Sequence, residues 1–352
     1  MADYISKAES CAIDRQIQQD KKLLKSKPGI LLIGTSGSGK TTLLKQVKIL
    51  HEGGFSATEL AKFRPIIFQN VLDSAQAMVM YMRNAGLACV NVENITHCEK
   101  ILKYTFDVSS GSPQNIYLST EITNAICCMW ADPIMVKIME DNLDKLRLMD
   151  NTRYFLNNIH VIGKMGYTPN QTDALYAYQK TEGLTKTEMR IGSVKMDISE
   201  LGGLHYGHEK LFRFFENMSA IMFFTAISDY DKEDWACRNR LGESIVLFEA
   251  VVNSPWFSHS SIILYLNKLD LLIENLPEVP LKQYFTDYTG GNDLNKAIKY
   301  ILSLFMKVNR AGLRVFSHAA RVIDPSDTCV GLLSIVIKEA ILENSLKDHQ
   351  IL

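Results

Sequence analysis

The chain has no apolar run of the roughly 18 residues that a membrane-spanning helix needs. It also lacks a charge surplus. Its 38 basic residues face 39 acidic ones, a net charge of −1, so nucleic-acid binding has no electrostatic support. The opening Met1-Ala2-Asp3-Tyr4-Ile5 is not a basic-then-apolar leader. Nor does it carry the glycine after Met that N-myristoylation requires. Cysteine is sparse: Cys11, Cys89, Cys98, Cys127, Cys128, Cys237 and Cys329 show no metal-ligand spacing. An odd, scattered set suits reduced thiols in a cytosolic protein rather than a disulfide framework. His205 and His208 stand three apart with no acidic or Cys partner set, which favours a solvated face over a metal site. No internal repeat or low-complexity segment occurs. What is present is ordinary for a soluble globular protein, with 47% apolar and 22% charged residues. The 352 residues suffice for one large or two ordinary domains.

One stretch organises the rest. Gly34-Thr35-Ser36-Gly37-Ser38-Gly39-Lys40-Thr41 fits G-x-x-x-x-G-K-[ST], the phosphate-binding loop. Ile30-Leu31-Leu32-Ile33 before it reads as a buried strand, and Leu43, Val47 and Leu50 after it recur at helical spacing. That strand-loop-helix context separates the motif from a chance Gly/Ser-rich turn. The glycines let the backbone wrap a phosphate, and successive N–H groups at a helix N-terminus supply partial positive charge. Lys40 is expected to reach the terminal phosphates and the Thr41 hydroxyl to ligate Mg²⁺.

Residues 6–27 read as a charged helix closed by Pro28-Gly29, with Ile13 and Ile17 as its thin apolar stripe. It either docks on a partner or stays a solvated arm. From about Ala57 to Asn170 the pattern is helical. Ile67, Val71, Ala75, Met78 and Met82 mark one face, and Pro65 suits a first turn. Further helical patterns run over 119–130, 133–148 and 152–162. Met78, Met80, Met82, Met129, Met135 and Met139 suit core filling better than a cofactor site. Strands return with an alternating 190–199 and the apolar runs 220–227, 262–266 and 313–316, separated by helical 209–217, 241–252 and 294–308, with 332–342 beyond. Strands alternating with helices predict a doubly wound α/β sheet. The expected organisation is an N-terminal helix 1–28, a phosphate-loop α/β domain of 29–58 and 178–352, and an all-helical insertion 59–177.

Asn267-Lys268-Leu269-Asp270 follows a buried strand. N-K-x-D is weak alone, yet it gains specificity at a later strand end, long after a phosphate loop. The Asp270 carboxylate can accept two hydrogen bonds from the N1–H and N2–H₂ edge of guanine, a donor pair that adenine lacks. Lys268 can lie along the ring, Asn267 can tie this loop to the phosphate loop, and the Ala319 N–H can meet guanine O6.

These residues carry a resemblance over nearly the whole chain. With Lys45–Ser56 after the loop, Tyr154–Asn158, Ser228–Asp231, Asp287–Gly290 and Asn344–Asp348, the sequence resembles the α subunit of a heterotrimeric G protein, its C-terminus nearest the inhibitory class. The resemblance implies GTP/GDP binding with Mg²⁺, a βγ dimer and a seven-helix receptor as partners with an effector downstream, and attachment to the inner face of the plasma membrane through those partners. It carries nucleotide contacts onto Gly34, Thr35, Ser36, Gly37, Ser38, Gly39, Lys40, Thr41, Thr42, Leu175, Gly203, Asn267, Lys268, Asp270 and Ala319, and metal contacts onto Thr41 and Glu182.

The departures set the functional expectation. Against the family stretch D-V-L-R-x-R-x-K-T-T-G-I the chain has 173–184, with Tyr178 at the arginine finger and Glu182 at the position expected to hold the metal threonine. Against D-V-G-G-Q it has Glu200-Leu201-Gly202-Gly203-Leu204, so a longer acid replaces Asp and Leu204 replaces the water-orienting glutamine. Ser36 stands where the family has glycine. His205-Tyr206-Gly207-His208 lacks the basic run of the switch helix, the segment after Asp231 is short, and His349 replaces the toxin-modified cysteine of the inhibitory tail. Cys11 alone is a weak lipidation signal. The expectation is therefore an α-subunit-like transducer with very slow or lost GTP hydrolysis and no catalytic residue at either expected position. Its alternative is a pseudo-GTPase that holds βγ or a receptor without cycling. A phosphotransferase outside signalling would not need the guanine-reading element.

Overall fold

The structure, a computed structural model, describes residues 29–105, 117–141, 148–191, 194–203, 209–216, 218–233 and 239–324. The expected N-terminal helix, the 332–342 helix, Leu204, His205, His208 and the C-terminal segment lie outside them. In chain order the elements begin with β1 (Gly29–Gly34) and α1 (Lys40–His51). Seven helices follow: α2 (Ala57–Asn84), α3 (Glu93–Lys103), α4 (Thr120–Trp130), α5 (Pro133–Asp141), α6 (Thr152–Asn157), α7 (Ile159–Ile162) and α8 (Gln171–Tyr176). Then come β2 (Leu184–Ile191), β3 (Val194–Leu201), β4 (Ala220–Ala226), α9 (Arg240–Val252), β5 (Ser261–Asn267), α10 (Leu269–Glu278), α11 (Leu294–Lys307) and β6 (Val315–Ala320).

Two compact units result, one from Thr42 to Lys180 and one holding the rest of the chain on either side. The expected borders, after residue 58 and before residue 178, therefore move. Most of α1 groups with the helical unit because its side chains bind there. Lys48 pairs with Glu59, Lys45 Nζ donates to the Ala177 carbonyl at 2.6 Å, and the Lys45 and Lys48 ammonium groups lie 5.0 Å from the Phe63 and Phe55 rings respectively.

The α/β unit is a six-stranded sheet in the order β2-β3-β1-β4-β5-β6. All neighbours are parallel except the antiparallel β2/β3 pair. β1, β4 and β5 are apolar runs buried along almost their whole length, as strands covered on both faces must be. Leu31, Ile33, Phe223, Leu264, Phe248 and Phe305 share its core, with the Phe223 and Phe248 rings edge-on at 5.0 Å. Three expectations change. The alternating 190–199 segment is the inner part of a hairpin whose pairing runs from Leu184↔Leu201 to Ile191↔Val194, because the two-residue period continues on both sides of Gly192-Ser193. The last strand starts at Val315 rather than at 313 and ends with 317–320. Residues 209–215 form a 3₁₀ rather than an α-helix.

The helical unit packs Phe68, Met78, Ile126, Met129, Met135 and Phe155 in a core of its own. α2 starts at a capping box, the Ser56 side chain accepting from the Glu59 N–H while the Glu59 carboxylate accepts from the Ser56 N–H. That start leaves Pro65 inside the helix rather than in its first turn. Met78, Met82, Met129, Met135 and Met139 are buried as expected, but Met80 is 45% exposed. It falls off the face that 75, 78 and 82 share. The 152–162 pattern breaks at Asn158 into α6 and α7. Among the described residues no single helix is long and apolar enough to cross a membrane.

Candidate functional site

Because β3, β1, β4, β5 and β6 run parallel, their carboxyl ends share one edge of the sheet. β1 is where the chain order reverses, with β3 on one side and β4 on the other. Ligands of open α/β sheets bind at that edge and at that reversal. The loops leaving Gly34, Leu201, Ala226, Asn267 and Ala320 all start there.

The phosphate loop wraps tightly. Lys40 is 5% exposed, and its Nζ donates to the Gly34 and Thr35 carbonyls, both at 2.9 Å. Burial lowers its pKa to about 8, against the opposing pull of the Glu200 carboxylate. The Ser38 hydroxyl donates to the Thr35 carbonyl at 2.8 Å. Gly39 sits at φ +103°, and a Cβ there would lie 2.0 Å from Asn267 Nδ2, so conformation and space both require glycine. Gly203 lies close to the loop as well, since a Cβ on it would come within 2.6 Å of Ser36 Cα. The Ser36 carbonyl accepts from Arg240 Nη2 at 2.8 Å.

Beside the loop the Thr41 hydroxyl donates to Glu200 Oε1. Thr181 Oγ1 lies 2.9 Å from Thr41 Oγ1 and 3.4 Å from the same Glu200 oxygen. Glu200 is 3% exposed, near the end of β3. The residue brought to this cluster is thus Thr181, while Glu182, the expected metal donor, is exposed. Neighbours in extended chain point to opposite sides, and Gly202 packs against the Thr181 carbonyl, which turns Thr181 inward. Two hydroxyls and a carboxylate are hard oxygen donors. They suit Mg²⁺, which is typically held by one or two protein oxygens together with substrate phosphates. Among the described residues no group of three His, Cys, Asp or Glu could hold a metal alone.

The loop after β5 is tied to the phosphate loop. Asn267 Nδ2 donates to the Ser38 carbonyl at 2.8 Å, and Asn267 Oδ1 accepts from Val322 N at 3.2 Å. One 4% exposed side chain therefore joins three loops. Lys268 follows at φ +64°, the one non-glycine residue with positive φ among those described. Its Nζ lies 3.8 Å from Asp229, whose 3% exposed carboxylate also faces Lys232 at 3.2 Å and Arg240 at 3.4 Å. Arg240 thereby links this hub to Ser36. Asp270 is half-buried in the first turn of α10. Ala319 pairs with Leu266 in β6, one residue from the strand end.

Of the other predicted contacts, Gly37 lies in the loop with φ +72°. Thr42, Leu175 and Tyr178 belong to the helical unit. There the Tyr178 backbone is held by Asn70, whose amide accepts from Tyr178 N at 2.7 Å and donates to its carbonyl at 2.9 Å. The Tyr178 side chain is 40% exposed. Sequence reasoning gave no role to Thr181, Asp229 or Arg240. Asp229 lies inside the Ser228–Asp231 stretch, and Thr181 is one register step from Glu182.

The chain matches the family model of the G-protein alpha subunit over residues 7–336. It is 41% identical over 349 residues to a guanine nucleotide-binding protein subunit alpha of Cryptococcus neoformans var. neoformans serotype D, covering 99% of this chain and 79% of that one. To the alpha-3 subunit of Mycosarcoma maydis it is 39% identical over 349 residues, covering 99% and 97%. The alpha-2 subunit of Saccharomyces cerevisiae is 39% identical over 331 residues, covering 92% and 72%. This kinship spans both units, and it joins a sheet that carries its phosphate loop and N-K-x-D loop on one edge. The chain belongs to the family of heterotrimeric G-protein α subunits.

Proposed function

We propose that this α subunit binds guanine nucleotide, hydrolyses GTP very slowly or not at all, and couples a seven-helix receptor and a βγ dimer to an effector at the inner face of the plasma membrane. The observation that carries the binding half is the Asn267 bridge, which sets the guanine-reading loop against the phosphate loop at 2.8 Å. Lys40 and the N-terminus of α1 would meet the phosphates, Asp270 and Lys268 the base, and the Ala319 N–H guanine O6. Thr41 and Thr181 would supply the protein oxygens for Mg²⁺, with Glu200 behind them. The bound ion would neutralise phosphate charge. Thr181 takes the role first expected of Glu182.

The hydrolytic half lacks its two main contributors. Tyr178 carries no positive charge at neutral pH, and Leu204 can neither donate to nor accept from water. In this family the arginine is worth roughly 10³–10⁵ in rate, a family value rather than one worked from this chain. The two losses do not multiply, because residues that act as a unit are not additive. Arg240 is engaged with Ser36 and Asp229.

The Glu200 contact to Thr41 supports a second reading, in which GDP is favoured and Mg²⁺ dependence is weak, as in a pseudo-GTPase that holds βγ or a receptor without cycling. Two measurements separate these readings. Nucleotide released from denatured protein is identified and counted, and single-turnover hydrolysis of bound GTP is followed. Retained GTP that decays slowly fits the first reading, and GDP or no nucleotide fits the second. Hydrolysis at a rate ordinary for the family refutes the loss of hydrolysis.

A further inference from the structure

Two sulfur atoms meet inside the helical unit. Cys89 lies in the loop between α2 and α3, and Cys98 lies on α3, where Asn94, Cys98 and Ile101 are its buried residues. Their Sγ atoms are 3.6 Å apart. The approach is held from outside the pair. Asp132, 2% exposed, accepts from the Val90 and Asn91 N–H groups at 3.0 and 3.1 Å, from Asn94 Nδ2 at 2.8 Å and from Ile134 N at 3.1 Å. One carboxylate thus pins the residues directly after Cys89 to the first turn of α3 and to the start of α5. Cys98 is 8% exposed and Cys89 half-buried, so Cys89 offers the more open sulfur.

We propose that Cys89 and Cys98 form a peroxide-responsive dithiol site, which closes to an intrachain disulfide when hydrogen peroxide or an organic hydroperoxide reaches Cys89. The Cys89 thiolate attacks the terminal peroxide oxygen; an S–O bond forms, the O–O bond breaks, and the leaving hydroxide (alkoxide from an organic hydroperoxide) takes a proton to become water (or the alcohol). Cys98 sulfur then attacks the Cys89 sulfenic acid; the S–S bond forms, the S–O bond breaks, and the departing hydroxide takes the Cys98 proton and leaves as water. Both sulfurs are oxidised by one electron each, and the peroxide is reduced by two. The S–S bond is about 1.5 Å shorter than the present contact. The preceding loop can supply that movement, since residues 85–88 are exposed and include Gly86 at φ +66°.

Burial, the hydrogen bond with Cys89 and the Asp132 charge push the Cys98 thiol up to about 12, and Arg83 at the end of α2 pulls the other way. Cys98 therefore reacts as the resolving sulfur, in contact with the more open Cys89.

The test uses the full chain, reduced, freed of reductant, exposed to hydrogen peroxide, alkylated, digested and mapped by mass spectrometry. The expected product is one Cys89–Cys98 linked peptide. Both cysteines lose alkylation together, Cys127 and Cys128 stay alkylated, and dithiothreitol restores the thiols. In Cys98→Ser, Cys89 stops at a sulfenic acid that dimedone traps; in Cys89→Ser, Cys98 stays alkylatable. Separate loss of the two labels, pairing of Cys89 with another cysteine, or no linkage in the folded wild-type chain overturns the proposal. The wild-type mapping stands even if a serine variant fails to fold.

Discussion

Replacing Lys40 by methionine probes the electrostatics of the phosphate loop through stability rather than turnover. The ammonium is buried, and its pKa falls from 10.5 to about 8. Between those values the unfolded chain holds the proton more tightly than the folded chain, so stability rises as pH climbs from about 8 towards 10.5. The whole difference is about 3 kcal/mol at 1.36 kcal/mol per unit, and about 1 kcal/mol of it falls between roughly pH 7 and pH 9. Other groups titrate too, so the quantity to read is the difference between wild type and Lys40→Met in urea unfolding of nucleotide-free protein. Wild type should gain on the variant by about 1 kcal/mol over that range. Saturating GDP should flatten the gain, because phosphate beside the ammonium restores the charged form and raises the folded pKa. Parallel wild-type and variant curves across the range would refute a charge held at a desolvation penalty.

Three further outcomes follow from the site. Asn267→Ala leaves the buried Ser38 carbonyl and Val322 N–H without their partner, a loss of about 2–4 kcal/mol in unfolding free energy, with faster GDP release in a stopped-flow chase. Thr181→Ala should weaken the Mg²⁺ dependence of nucleotide retention while Glu182→Gln leaves it unchanged; the reverse pattern would return the metal role to Glu182. Tyr178→Arg combined with Leu204→Gln should raise single-turnover GTP hydrolysis by at least about tenfold, and an unchanged rate would move the block elsewhere, with Ser36 the first place to look.

Much of this architecture was legible because its signals are local. The phosphate loop needs glycine where φ is positive and where Asn267 approaches, and the sequence writes those needs in consecutive letters. The Ser56–Glu59 capping box and the continuous apolar runs of β4 and β5 are equally short-range. Helix α3 was missed because its buried face is thin and partly polar, comprising Asn94, Cys98 and Ile101. The β2/β3 hairpin was missed because similar alternation runs on both sides of Gly192-Ser193. The inward position of Thr181 depends on Gly202 packing against its carbonyl, which no count along 180–183 contains. Asp229 as a hub requires cations from Lys232, Arg240 and Lys268 to converge, and the Cys89–Cys98 contact requires Asp132 from another helix pair.

The same distinction bears on why hydrolysis and binding can part in one chain. Lys40, Asn267, Ser38 and Glu200 are each at most 5% exposed and bonded within the α/β unit. Replacing any of them orphans buried partners, so the fold itself resists their loss. The position of the expected arginine finger is held differently. Tyr178 is anchored by its backbone atoms through Asn70, which hold any residue type equally well, and its side chain is 40% exposed. An arginine there would act on charge that develops only in the transition state, and exchanging it for tyrosine leaves the Asn70 hydrogen bonds in place. Stability therefore protects the cradle, while the Asn70 anchor places no demand on the residue type at 178.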